Sequence, residues 1–502
     1  MAMQAIIRSG RGSGLLLLPL AVLGVLVMFV SPDYGPVGAG LAALVLASLS
    51  RLDLLLYFAV FTIPFNVTRL TPLGIPLAIE NLRLVAFFVL LAHVVLKRRT
   101  LRLHTRFDVP IVIVVVLMVF AAVQAVEPMF SLKEIVRLLS NIAFFYFVIN
   151  TVTTRERLRK VMSLLQLSGL LVALYAVYQY IIGDHGDLYF WVHPRFATPM
   201  SVGRDYILPF RGRVQGLFNT PTELGVYLIV CGAFLGVSLA YSRRRFVPLT
   251  ALLVLATACT LTFTRAVWAT FLACGLLLVL LSPGVTKFKT LLALSVTAGL
   301  ILTLLFSFGL VEEALGRIRD ADSISARFQQ YEFSWNLFSS SPLYGVGYGN
   351  GLMLYLAAMP PMPEQDMVSS MIHNMYLFES VQMGIVGLIV FNWLLFGALW
   401  GCYRKYRSPC APWMKEIYGG LTVTFSAVAL AGMSDPGAFF LTHACYLVWL
   451  LLGISCVVPR IATAEARVQE AARFNRAKAG RTTVYGQPNV PEDSRRHVGG
   501  PA

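Results

Sequence analysis

Residues 370–391 read SMIHNMYLFESVQMGIVGLIVF, and the class of fold follows from them. The run is apolar enough to enter a bilayer, yet its first turn carries His373, Asn374 and Tyr376. Behind them Gly384 and Gly387 are small enough to let neighbouring helices approach closely. A polar, titratable head on an apolar helix is costly in a membrane, and such costs are usually tolerated for a function. The helix starts where a long polar loop ends, which puts His373 at a helix N-terminus, where the macrodipole favours anions over an imidazolium. A neutral histidine beside an anionic substrate fits that position. A histidine that only caps the helix or faces water fits it equally well.

Working outward, the whole chain has the same character. Of its 502 residues 57% are hydrophobic and 13% charged, where a soluble domain is nearer half and a quarter. A soluble enzyme is excluded; the expected class is an all-α, polytopic membrane protein. Apolar spans of roughly the ~20 residues that a bilayer requires fall near 15–31, 36–50, 53–65, 79–96, 109–126, 135–151, 161–182, 217–241, 246–263, 266–282, 289–311, 373–401, 416–433 and 438–458. That predicts about 12–14 transmembrane helices. Arg8 and Arg11 before Leu15–Val30 resemble a signal peptide, but without a clear small-residue cleavage site the segment reads as a retained first helix.

Basic clusters orient the bundle. Lys97–Arg99, Arg155–Lys160, Arg243–Arg245, Lys287 with Lys289, and Arg404–Arg407 fall in alternate connections, on the side of both termini. By the positive-inside rule that side is the cytoplasm. None of the seven cysteines lies in an outer loop, so no disulfide framework is expected. Two outer connections are long, 183–212 and 312–372, and length alone makes the second functional. Within it Phe328, Tyr331, Trp335 and Phe338 recur at helical spacing, for a helix that either lies on the membrane surface or packs onto the bundle. The reading divides the chain into a membrane domain, 1–458, and a partly disordered cytoplasmic tail, 459–502.

Arginine on the outer side runs against the positive-inside bias and needs a reason. Arg211 and Arg213 precede one span, Arg265 sits in a tight turn between two others, and Arg327 lies in the long loop. Guanidinium groups bind phosphate oxygens bidentately and keep their charge when partly desolvated. Several of them with a helix N-terminus and a neutral histidine would make a pyrophosphate site with a general base. Snorkelling, or pairing with Glu223, Asp205 or Glu332, is the plainer explanation for any single arginine. Asp320–Asp322 and Asp184–His185–Asp187 are weak candidates for a cation, and His443 and Asp435 for supporting roles; no metal site is expected.

Four elements in order resemble a known family. They are Arg213-x-x-Gly216-x-x-Asn219, Thr264-Arg265, Arg327 followed by Pro342-Leu343-x-Gly345-Val346-Gly347, and His373-Asn374-x-Tyr376-Leu377 with Gly384 and Gly387-Leu388. Over about residues 205–400 the chain resembles the bacterial O-antigen ligase and O-antigen polymerase superfamily of membrane glycosyltransferases. Thr220-Pro221-Thr222 departs from the family's Asn-Pro-Asn turn, and Gln382 stands where a glutamate is frequent.

The resemblance implies a GT-C-like bundle in the inner membrane with a large periplasmic loop. It implies transfer of a glycan from an undecaprenyl-pyrophosphate-linked donor to a saccharide hydroxyl at the periplasmic face, inverting, without metal or other cofactor. The acceptor would be lipid A-core for a ligase of lipopolysaccharide biosynthesis, or a second lipid-linked glycan for an O-antigen or exopolysaccharide polymerase. The implied base is His373. The implied pyrophosphate ligands are Arg213, Arg265, Arg211 and Arg327, with Asn374, Tyr376 and Glu223 in support. A flippase or exporter of lipid-linked oligosaccharide is the alternative, but it would want its charges at membrane depth, whereas here they cluster outside.

Overall fold

In a bilayer a chain can satisfy its backbone polar groups only internally, which for apolar runs means helices. The computed structural model of the chain is built of them. It describes residues 51–65, 68–70, 76–78, 100–123, 128–183, 213–218, 220–241, 246–282, 322–347, 372–434 and 444–484, with short helical pieces between 86 and 94 and between 291 and 316. The expected spans 15–31 and 36–50, and with them Arg211, Asp184–Asp187, Asp320, Asp435 and His443, lie outside the described residues.

The described helices are α1 Leu52–Phe61, α2 Asp108–Val123, α3 Pro128–Thr151, α4 Arg155–Ile182, α5 Pro221–Tyr241, α6 Phe246–Leu261, α7 Arg265–Leu281, α8 Asp322–Ser340, α9 Met375–Arg407, α10 Pro412–Ala431 and α11 Ala444–Val484. Five of them contain stretches long and apolar enough to cross a membrane, and the all-α polytopic reading stands. A small departure is an antiparallel ribbon, β1 Thr68–Leu70 paired with β2 Pro76–Ala78. Helix ends run past the apolar spans where the flanking residues allow it. The α4 helix starts at Arg155 because the Thr154 side chain caps it, accepting from Arg157 N. The α9 helix continues to Arg407 because basic residues suit a helix C-terminus.

The chain forms two compact units, residues 1–457 and 458–502. In the first, α5 and α10 are central: α10 packs against α5, α7 and α9, and α5 also against α4, α6 and α7. Glycines permit these crossings. A Cβ on Gly420 of α10 would fall 2.2 Å from the Phe234 ring of α5, and one on Gly225 of α5 would fall 2.3 Å from Val267 of α7. The outer helices show the complementary signature. On α9, Ile385, Ile389, Trp393, Phe396 and Trp400 form an exposed apolar stripe, while Val390, Leu394 and Ala398 are buried. In water such a stripe would be a liability; in lipid it is the solvated face. All seven cysteines are free. In the second unit the helix continues to Val484, with Val468 and Phe474 exposed.

One helix is broken. Gly384 interrupts α9 with φ 64° and ψ −165°, and the segment Pro342–Gly347 docks into the gap. Val346 N donates to Val381 O (2.8 Å), Gly347 N to Gln382 O (3.2 Å), and Ile385 N to Pro342 O (2.9 Å). The groups freed by the break are thereby satisfied from outside the helix, as an irregular backbone at membrane depth requires. Gly384 therefore serves no helix–helix contact, contrary to the sequence expectation. A Cβ there would lie 2.3 Å from the Leu343 carbonyl, and one on Gly345 would lie 2.4 Å from the Gln382 carbonyl carbon.

Candidate functional site

The site is built where α9 begins. Asn374 is the N-cap, its side-chain oxygen accepting from Tyr376 N (2.9 Å) and Leu377 N (3.1 Å). Phe378 N donates to Asn374 O, and Met375 N to Gly432 O at 2.7 Å. All four leading amides thus have partners, so this helix end is closed rather than open to an anion. That departs from the expectation of an anion-binding helix N-terminus. Tyr376 braces the joint, its hydroxyl donating to Ala429 O at 2.9 Å near the end of α10.

His373 stands just before the cap, half-buried. Its Nδ1 is 3.1 Å from Gln330 Oε1 on α8. With the Gln330 amide in this orientation its oxygen can only accept, and the tautomer that matches carries the proton on Nδ1 and the basic lone pair on Nε2. Gln330 is itself buried, and Tyr331 beside it reaches the His373 carbonyl at 3.3 Å. Arg327 stands one turn earlier on the same face of α8, half-buried. The aromatic stripe divides accordingly: Tyr331 and Phe338 turn to the bundle, Phe338 against Ile372, Phe378 and Val381, while Phe328 and Trp335 are exposed.

A second group forms around the turn between α6 and α7. Phe263 adopts φ 45°, the one positive φ off glycine among the described residues. Arg213 holds the turn: its Nε donates to Thr262 O (3.0 Å) and its Nη2 to Thr264 Oγ1 (2.7 Å). The adjoining backbone follows, with Val214 N donating to Leu261 O at 3.2 Å. Buried Gln179 of α4 pins the same segment, exchanging hydrogen bonds with Gly216 N (2.8 Å) and Gly216 O (2.9 Å). The turn presents Arg265 as the first residue of α7, half-buried. Where the motif departs at 220–222, Thr220 takes over the capping role. Its hydroxyl accepts from Glu223 N at 3.2 Å, with Pro221 as the first helical residue. Glu223 is buried.

Both groups lie at one end of the bundle. Val226, near the start of α5, packs with Ala431 at the end of α10, and the next residue, Gly432, receives the amide that opens α9. Residues 429–433 thus link the arginine turn to the histidine joint. The sequence reading named His373, Asn374, Tyr376 and the arginines, took Tyr331 only as part of an aromatic stripe, and passed over Gln330, Gln179 and Glu379. Glu379, four residues into α9, is fully buried, and neither carboxyl oxygen has a hydrogen-bond partner among the described residues.

A family model described as O-antigen ligase matches residues 249–392, a narrower stretch than the motifs suggest, leaving out Arg213 and Glu223. No curated protein matches the chain. Arg265, Arg327 and His373 all lie inside the matched stretch, within a polytopic helical bundle, and over residues 249–392 the chain is similar to the O-antigen ligase family.

Proposed function

We propose that this chain transfers a glycan from an undecaprenyl-pyrophosphate-linked donor to a saccharide hydroxyl at the outer face of the bacterial inner membrane. The observation that carries the mechanism is the contact of His373 Nδ1 with Gln330 Oε1, 3.1 Å, which supports the Nδ1–H tautomer, with Nε2 as the basic nitrogen. The acceptor oxygen attacks the anomeric carbon as its proton passes to Nε2. The bond from that carbon to the pyrophosphate oxygen breaks, and the lipid pyrophosphate leaves with the electron pair. One displacement inverts the centre. Arg265 and Arg327 receive the charge that develops on the leaving group, an electrostatic contribution that is strongest in the transition state. Arg213, with two of its N–H groups on the turn, positions Arg265, and Glu223 supports the segment from the first turn of α5.

The test is turnover of a lipid-pyrophosphate donor by purified protein with chelator present. A positioned base contributes about 10²–10⁴-fold, so His373→Gln should fall by that factor although it keeps a hydrogen-bonding side chain. Wild-type turnover by the Gln variant would remove His373 as base. Lipopolysaccharide banding after gene deletion separates the two family activities. Loss of all O-chains from the core marks a ligase; chains cut to one repeat mark a polymerase.

A further inference from the structure

At the other end of α10 there is a pocket that glycan transfer does not use. It has a volume of about 260 Å³ and lies between the start of α4, the end of α5 and the start of α10. Trp413, which lines it, and Gly432, at the histidine joint, bracket α10, a helix of 20 residues. At 1.5 Å per residue the two sites are about 30 Å apart, a membrane thickness.

Its lining is graded. Of its lining residues Arg159 is exposed and Arg155, one turn before it on α4, is half-buried like Trp413, whereas Met162 and Phe234 are buried. The Arg155 guanidinium lies 5.0 Å from the centre of the Trp413 ring. A cation held on an aromatic face keeps its N–H groups for another acceptor. Neither arginine is in an ion pair among the described residues, whereas Lys160 alongside pairs with Glu156 at 2.9 Å. Glu416 also lines the pocket, and the Ser238 hydroxyl donates to its carboxylate. Two guanidinium groups against one carboxylate leave net positive charge over an apolar floor, with a tryptophan at the rim where interfacial aromatics gather.

We infer that this pocket binds the phosphate headgroup of an anionic glycerophospholipid, the two arginines on the phosphate and the start of an acyl chain against Met162 and Phe234. Basic pockets between transmembrane helices take such headgroups on the side where anionic lipids are enriched. The net charge selects an anionic headgroup over a zwitterionic one, and the apolar floor selects a lipid over free phosphate.

Thermal unfolding of the detergent-purified full chain tests this. Short-chain phosphatidylglycerol should raise the midpoint in a saturable manner, and phosphatidylcholine of the same chain length should not. Arg159→Gln, at an exposed position, and Arg155→Gln/Arg159→Gln should weaken the apparent affinity at least tenfold while unfolding cooperatively without lipid; Lys160→Gln should not change it. Equal response to the two lipids, or an unchanged response in the exposed single variant and the double variant, overturns the site. An equal shift from inorganic phosphate alone overturns the lipid as its ligand. Glycan transfer is not read in this experiment, so its outcome is independent of the catalytic proposal.

Discussion

At the scale of single residues, the proposed chemistry rests on side chains whose partners lie far away in sequence. Arg213 and Arg265 separate by proposed role. Lysine at 265 keeps charge but loses the planar fork that matches phosphate oxygens, so Arg265→Lys should lower turnover at least tenfold and raise the donor KM. Lysine at 213 loses both bonds to Thr262 and Thr264, so its turn should loosen and kcat should fall with a smaller change in KM. Kinetics of the two variants against donor concentration check this, and matching profiles would mean that the arginines act alike. The arginines drew notice in the sequence because arginine in connections read as outer breaks a statistical rule. Gln330 was not. A glutamine on a polar loop helix attracts no notice until the fold brings it to a histidine 43 residues away. Glu379 was passed over because a glutamate one turn beyond a polar motif reads as part of its wet end, yet here it is fully buried.

At the scale of elements, hydropathy located the spans well among the described residues, since the bilayer dictates both their length and their apolar character. It could not show the break in α9. A glycine in an apolar helix reads as a packing residue, and only the arrival of Pro342–Gly347 reveals Gly384 as a discontinuity. An alanine at 384 would hold a left-handed backbone at a cost of about 1–3 kcal/mol, and its methyl would meet backbone, which cannot rotate away as a side chain can. Gly384→Ala should therefore reduce the folded fraction sharply, while Gly397→Ala, whose methyl would meet only the Trp393 side chain at 3.3 Å, should be nearly silent. Fluorescence-detected size exclusion of the two variants makes the comparison; equal folded fractions would show that the break tolerates a side chain.

At the scale of the whole molecule, the orientation proposed from the basic clusters has a built-in reporter. Six of the seven cysteines are buried, and Cys410, half-buried in the short connection between α9 and α10, is the exception. An impermeant thiosulfonate should label it in inside-out vesicles and not in intact spheroplasts; the reverse would invert the topology. Burial pushes the Cys410 thiol up, with Lys415 and Lys405 pulling it partly back. The thiolate fraction is therefore smaller at neutral pH than for an open cysteine. Labelling should accelerate as pH rises through that raised pKa, later than for a free thiol measured alongside.

The docking of Pro342–Gly347 at Gly384 also makes a closed ring. The chain leaves α9 beside Gln382, at Gly347, and returns at Ile372 to begin the same helix. Gly347 and Ile372 are thus fixed at two points a few turns apart on one rod. The contacts at Gly384 and the registration of His373 with Gln330 are therefore held by these two anchors themselves, Gly347 on one side and Ile372 on the other.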